Sequence, residues 1–293
     1  MKNYSLLFAV IICLFFACAC HNEEKTDGAN HEMNLCNTEF VFVEGGTFTM
    51  GCTEEQSNDC YNDEKPAHEE TVKDFYIGKY EVTVEQFAKF IEETGYKTDA
   101  EKSDSSLICA DGMKSYKKGV NWRFNSQGTL YDKQEYDHPV AHVSWNDAKE
   151  YCKWFSEKSG NNVRLPSETE WEYAARGGNL SRGSKYSGSN VITEVAWYDA
   201  NSNYATQPVG KKKANELGIF DMSGNVYEWC STWYSNFGSE ASDVNDEIEN
   251  KYIVVRGGSS FLNEKFSRVS YRYSRTPSTC GGPYGFRLAM TAE

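Results

Sequence analysis

Basic residues are scarce in this chain: 30 Lys and Arg stand against 43 Asp and Glu, a formal charge of −13. That deficit argues against nucleic acid or an anionic membrane surface as a partner, because a phosphate-tracking face needs clustered cations. The one basic run, Lys211-Lys212-Lys213, reads as a solvated loop. Long apolar runs are missing too. The best, Leu6 to Ala19, is too short and too near the terminus for an ordinary membrane span. No Pro/Ser/Gly-rich linker interrupts residues 39–293, so they read as one large domain. Uniform helical periodicity over long stretches is also lacking, which excludes a helical bundle.

What the N-terminus does have is Lys2 ahead of that apolar run, the pattern of an export signal. The run ends in Phe15-Phe16-Ala17-Cys18-Ala19-Cys20 and turns abruptly polar. It resembles a bacterial lipoprotein signal, in which a cysteine after small residues becomes the lipidated first residue; Cys18 and Cys20 both qualify. An ordinary cleaved signal with incidental cysteines is the alternative, and either makes the chain exported. The expected organisation is a signal over 1–19, a polar tether over 20–38 carrying Glu23, Glu24, Asp27 and Glu32, and the domain over 39–293. The expected location is the cell envelope, outer membrane or cell surface, with membrane contact through the lipid.

Aromatics make up 14% of the chain and glycines number 23, a mixture that suits short strands and ordered loops around a few helices. Thr83 with Gln86 forms a capping box for a first helix that turns Phe87, Phe90 and Ile91 inward and stops at Gly95. A second begins near Asn146-Asp147, aligns Ala148, Tyr151, Cys152 and Phe155, and ends near Gly160. Ser167 with Glu170 caps a third, which carries Trp171, Ala174 and Ala175 inward and ends at Gly177-Gly178. Strands are expected at 40–43, 75–77, 195–198 and 252–256. The fold class is therefore α+β with much irregular structure.

Several short segments recur in a telling order. They are Val43-Glu44-Gly45-Gly46-Thr47-Phe48-Thr49-Met50-Gly51, Tyr80-Glu81-Val82-Thr83, His138-Pro139-Val140 and Val143-Ser144-Trp145-Asn146-Asp147-Ala148. Then follow Arg164-Leu165-Pro166-Ser167-Glu168-Thr169-Glu170-Trp171-Glu172-Tyr173-Ala174, Gly224-Asn225-Val226-Tyr227-Glu228-Trp229, Arg256-Gly257-Gly258-Ser259 and Gly285-Phe286-Arg287-Leu288. In this order, over residues 40–290, the chain resembles the formylglycine-generating-enzyme, or sulfatase-modifying factor, family. The resemblance implies that family's single-domain fold, related to C-type lectins and poor in regular structure.

The family's oxidase converts a sulfatase cysteine to formylglycine with copper(I) held by two thiolates shortly after the Arg-Gly-Gly-Ser segment, a soft metal on soft ligands. Here the resemblance puts Leu262 and Ser267 near those thiolates, and no cysteine lies between Cys230 and Cys280. Copper and formylglycine generation by that mechanism are thus not expected. The resemblance further implies calcium at Asp221, Gly224, Val226 and Glu228, through two carboxylates and two backbone carbonyls, a hard-oxygen set suited to that ion. His138 and His142 are four apart, but Pro139 prevents a shared helical face, so they are not read as a metal pair.

Seven cysteines follow the signal: Cys36, Cys52, Cys60, Cys109, Cys152, Cys230 and Cys280. In an exported chain disulfides persist, and Cys52 and Cys60, bracketing an acidic loop, are the first pair to consider. The stretch 260–284 is rich in Arg, Tyr and Ser. Tyr227, Ser259, Arg268, Tyr271, Arg272 and Arg275 are read as a groove or binding face, since aromatic faces and guanidinium forks suit contact surfaces. The alternative has those arginines paired with carboxylates and holding loops together. The leading expectation is a binding or scaffold module, a pseudoenzyme with a protein, peptide or glycan ligand. Its rivals are an oxidoreductase of the same superfamily with another metal or substrate, and recognition of a glycan or a sulfatase.

Overall fold

The computed structural model describes residues 23–27, 30–110, 112–238 and 251–292. The expected signal and its candidate lipidation cysteines, Cys18 and Cys20, lie outside them. The N-terminal half contains β1 (Glu23–Asp27), β2 (Asn30–Leu35), β3 (Thr38–Val43), β4 (Gly46–Met50), β5 (His68–Val72) and β6 (Phe75–Gly78). Next come α1 (Val84–Thr94), α2 (Asp99–Ser103), β7 (Ser105–Ala110), β8 (Met113–Lys118), α3 (Trp145–Ser159), β9 (Val163–Arg164) and α4 (Glu168–Ala175). The short helices α5 (Ile192–Val195) and α6 (Asp199–Ser202) precede β10 (Tyr227–Trp233), β11 (Ile253–Arg256), β12 (Arg272–Arg275), β13 (Tyr284–Gly285) and β14 (Ala289–Thr291).

An antiparallel sheet in the order β1-β2-β3-β6-β14-β9 forms the spine. Its strands alternate, so both faces can be covered. On β3, Phe40 joins a core with Phe87 of α1 and Tyr151 and Phe155 of α3, while Val41 and Val43 join a second core with Trp171 and Tyr173 of α4. A second sheet, β12-β11-β10-β13, carries the candidate site, and β4-β5 and β7-β8 are separate hairpins.

Helix starts follow their caps. Thr83 Oγ1 accepts from the Gln86 amide and Gly95 closes α1 at φ 65°, a left-handed conformation that glycine adopts without a Cβ clash. Ser144, two residues earlier than expected, caps α3, because Asp147 at its third position completes a capping box. Ser167 and Glu170 cap α4, and Arg164 grips Glu170 with two 2.7 Å bonds.

Two expectations fail. The stretch 195–198 is no strand: Val195 ends α5, and Trp197 makes only an isolated bridge to Gly224. The polar stretch taken as a tether enters the spine sheet as β1 and β2, and Leu35 is fully buried in the main core. Alternation of only two apolar residues, Met33 and Leu35, was too weak a signal for a strand that gains its stability from pairing.

Candidate binding site

β11 delivers Arg256 into the interior and then turns through Gly257-Gly258 to Ser259 and Ser260. Gly258 has φ 77°, and a Cβ there would fall 2.5 Å from the Phe266 carbonyl oxygen and 2.8 Å from Ser267 Oγ. Glycine therefore lets the segment bearing Ser267 close onto this turn. The Ser259, Ser260 and Ser267 hydroxyls are buried and have no hydrogen-bond partner. Leu262 is half-buried; its amide donates to the Ser259 carbonyl and its carbonyl accepts from Asp199. Beside it, the Phe261 ring faces Tyr204 at 5.8 Å and lies under the Lys114 ammonium at 5.4 Å.

Sulfur is elsewhere. Cys52 and Cys60 form a disulfide. Cys109, Cys152 and Cys230 are buried thiols and Cys280 is half-buried. Burial pushes Cys109 up to about 11 and Cys152 and Cys280 up to about 12, which leaves them protonated and poor soft ligands.

The arginines of the expected binding face are mostly not available to a ligand. Arg268 is fully buried and bonds both Glu64 oxygens, at 2.7 and 2.6 Å, and Ser270 Oγ at 3.0 Å. Arg272 holds Glu168 at 2.6 and 2.7 Å and the carbonyls of Asp63 and Ser235, with its guanidinium 3.7 Å from the Phe237 ring centre. Tyr227 is buried between Tyr273 and Tyr284, Tyr271 packs on Tyr61 and Phe266, and Ser259 is internal. Arg275 alone of the three arginines stays half-buried, bonded to Tyr284 Oη at 2.7 Å. The reading of Tyr227, Ser259, Arg268, Tyr271 and Arg272 as an open face is corrected on this point: distant carboxylates saturate the guanidinium forks, and a buried charge persists only when so paired.

A third cluster gathers acids. Glu228 accepts from Arg287 Nε and Nη2, both at 2.6 Å, and from Trp171 Nε1 at 2.7 Å. Glu81 accepts from Asn225 Nδ2 at 2.7 Å and from the Val226 amide at 3.2 Å. Asp221, at φ 58°, accepts from the Gly210 amide through Oδ2, while its buried Oδ1 has no partner. Burial pushes Asp221 up to about 6, and burial with the Asp221 and Glu228 charges pushes Glu81 well above its ordinary value. Three acids thus share one guanidinium, and the surplus of negative charge calls for a proton or a cation. Glu81 was not among the expected site residues, although it sits in the Tyr80-Glu81-Val82-Thr83 segment; its acid neighbours lie some 140 positions away, beyond any local pattern. Asp221 Oδ1 fits a calcium ligand. Glu228 fits less well than the sequence suggested, being already committed to Arg287 and Trp171.

His142 is fully buried, with ring nitrogens on Ser106 Oγ at 2.9 Å and the Asn125 carbonyl at 2.8 Å, and burial lowers it to about 4. It is a neutral core residue. Among the described residues no three or more His, Cys, Asp or Glu side chains form a metal-ligating group.

Comparisons with known proteins agree on kinship. The sulfatase-modifying factor enzyme 1-like domain profile matches residues 26–292. The formylglycine-generating enzyme of Streptomyces coelicolor is 32% identical over 290 residues, covering 86% of this chain and 89% of that one. The chaperone protein LppX of Paenibacillus barcinonensis is 31% identical over 306 residues, covering 98% of each chain. In three dimensions PvdO from Pseudomonas aeruginosa matches with a TM-score of 0.66 at 30% identity, over 87% of this chain and 94% of PvdO.

Proposed function

The chain belongs to the sulfatase-modifying factor enzyme 1-like family, and from that premise we propose that it is an envelope lipoprotein whose domain binds a partner protein instead of oxidising a cysteine. One observation carries the reading. The positions that the resemblance gives to the copper thiolates hold Leu262, an alkyl chain, and Ser267, a buried neutral hydroxyl, and neither is a copper(I) ligand. LppX, named a chaperone and similar over 98% of each chain, supports a protein as the partner. Lipidation at Cys18 or Cys20 would hold the domain at the membrane. No helix among the described residues is long and apolar enough to cross it.

Calcium has a structural place in this proposal. Asp221 and the carbonyls of Gly224 and Val226 would hold it, and the ion would neutralise the surplus charge of the Glu81, Asp221 and Glu228 cluster. Elemental analysis of the purified full chain, coupled to an aerobic assay for aldehyde on a cysteine-containing sulfatase peptide, tests the whole. The expected result is calcium without copper and without aldehyde, on a chain whose N-terminal peptide carries lipid by mass spectrometry. Stoichiometric copper with aldehyde product would overturn it.

A further inference from the structure

The hairpin β7-β8 stands beside Phe261, and its outer strand is built in an unusual way. All six residues of β8, Met113 to Lys118, are exposed. Among them are Met113 at 68% and Tyr116 at 73%, the largest exposures of any large hydrophobic among the described residues. Lys114, Lys117 and Lys118 accompany them in a chain that is acidic elsewhere.

The backbone of this strand is open toward solvent in a defined register. Leu107 donates to the Cys280 carbonyl and accepts from Gly282, and Cys109 donates to the Ser126 carbonyl. Both therefore direct their main-chain groups away from β8. Their partners across the ladder are Tyr116 and Lys114. In an antiparallel ladder such pairs are the non-hydrogen-bonded ones, so Lys114, Tyr116 and, by the same alternation, Lys118 aim their N–H and C=O groups at the outer edge. No strand of the described residues pairs with that edge. The same three side chains share one face, the face on which the Lys114 ammonium covers Phe261.

We propose that β8 is a docking edge for an extended acidic segment of a partner protein, which adds as a third strand and sets its carboxylates against Lys114 and Lys118 with Tyr116 between them. This names the partner chemistry for the binding-module reading and rests on it. A second copy of the chain fits poorly, because antiparallel pairing of two such edges about Tyr116 would set Lys114 opposite Lys118 on the same face. Lysines also protect exposed edges from unwanted pairing. Protection alone, however, does not call for a tyrosine and a methionine left in water. The ion pair of Lys118 with Asp104, 3.3 Å apart and largely exposed, offers little resistance to a competing carboxylate.

The test uses the full chain in detergent and a fluorescent peptide alternating Glu with Val, followed by anisotropy. Saturable binding is expected. Tyr116→Ala removes the ring only, whereas Tyr116→Pro also removes an edge N–H without touching a β7 bond, and should weaken binding about ten-fold further. Lys114→Glu with Lys118→Glu, both at exposed positions, should lose the Glu-Val peptide and gain one alternating Lys with Val. No binding by the unaltered chain, or equal affinity in the Tyr116→Ala and Tyr116→Pro variants, would overturn strand addition. So would a dimer of the unaltered chain, seen by sedimentation, that Tyr116→Pro breaks. If a captured partner still binds the doubly reversed variant, the docking edge fails while the binding-module reading stands; copper-dependent aldehyde formation would sink that reading and leave the peptide result to be judged alone.

Discussion

Glu64 and Arg268 lie 204 positions apart and meet as a two-pronged ion pair with both side chains fully buried. Burial alone would raise the Glu64 carboxyl, but the bonds from Arg268 and Ser270 outweigh it and hold it below its ordinary value. Arg268→Ala leaves a carboxylate in the core without a counter-ion, and should cost about 3–5 kcal/mol in chemical denaturation at neutral pH. Replacing both partners with apolar residues should restore much of that loss. The sign with pH follows from the lowered value: this stability is present above the unfolded carboxyl range and is lost as pH falls through the folded value. A neutral-pH loss below about 1 kcal/mol would mean that solvent reaches the pair.

Asp221 behaves in the opposite sense. Its folded value of about 6 lies above the ordinary 3.8, so between those two pH values the folded chain holds a proton that the unfolded chain releases, and stability falls as pH rises across that window. Asp221→Asn should therefore stabilise the metal-free protein at pH 7 and change little at pH 3.5. Calcium would reverse the ranking. With the ion in excess, thermal midpoints of the unaltered protein at pH 7.5 should rise, more than at pH 5, while Asp221→Asn should not respond. A calcium response that survives Asp221→Asn would move the ion to another site.

How far the sequence could be read tracks the range of the forces involved. Capping at Thr83 and Ser167, and the glycine stop at Gly95, are settled within one helical turn, and they appear where local chemistry put them. Family membership was legible because it is carried by segments in order. The pairings of Arg268 and Arg272 were not, since Glu64 and Glu168 come from distant parts of the chain and nothing local distinguishes a guanidinium that will be buried from one that will face a ligand. The strands β1 and β2 escaped for a related reason: they are polar, and only the edge of β3 makes them strands.

Gly258 is a position where the site tolerates no side chain. Gly258→Ala would put a Cβ into the Phe266 carbonyl at left-handed φ. About 1–2 kcal/mol is expected from the backbone conformation and about 1–3 kcal/mol from the overlap. Hydrogen exchange should localise the damage to residues 257–268, with α1 and α3 unchanged; uniform loosening would show that the turn is integral to the whole core.

The Cys52–Cys60 disulfide closes a loop that does more than link its own ends. It also anchors, at Cys60, the segment that follows, which supplies Tyr61 to the Tyr271 ring, the Asp63 carbonyl to Arg272 and the Glu64 carboxylate to Arg268. Chain entropy alone assigns a closed loop of this size about 2–3 kcal/mol. If that were the full effect, Cys52→Ser with Cys60→Ser would lower stability by that amount and leave Arg268→Ala just as costly in the variant. The contacts argue otherwise. Once the bridge at Cys60 is cut, the segment that carries Glu64 is held less firmly, so Arg268→Ala should cost less in the double-serine background than in the unaltered chain. A double-mutant cycle by denaturation reads the coupling directly. Strict additivity would mean that buried packing around Glu64, and not the disulfide, holds the segment after Cys60 in place.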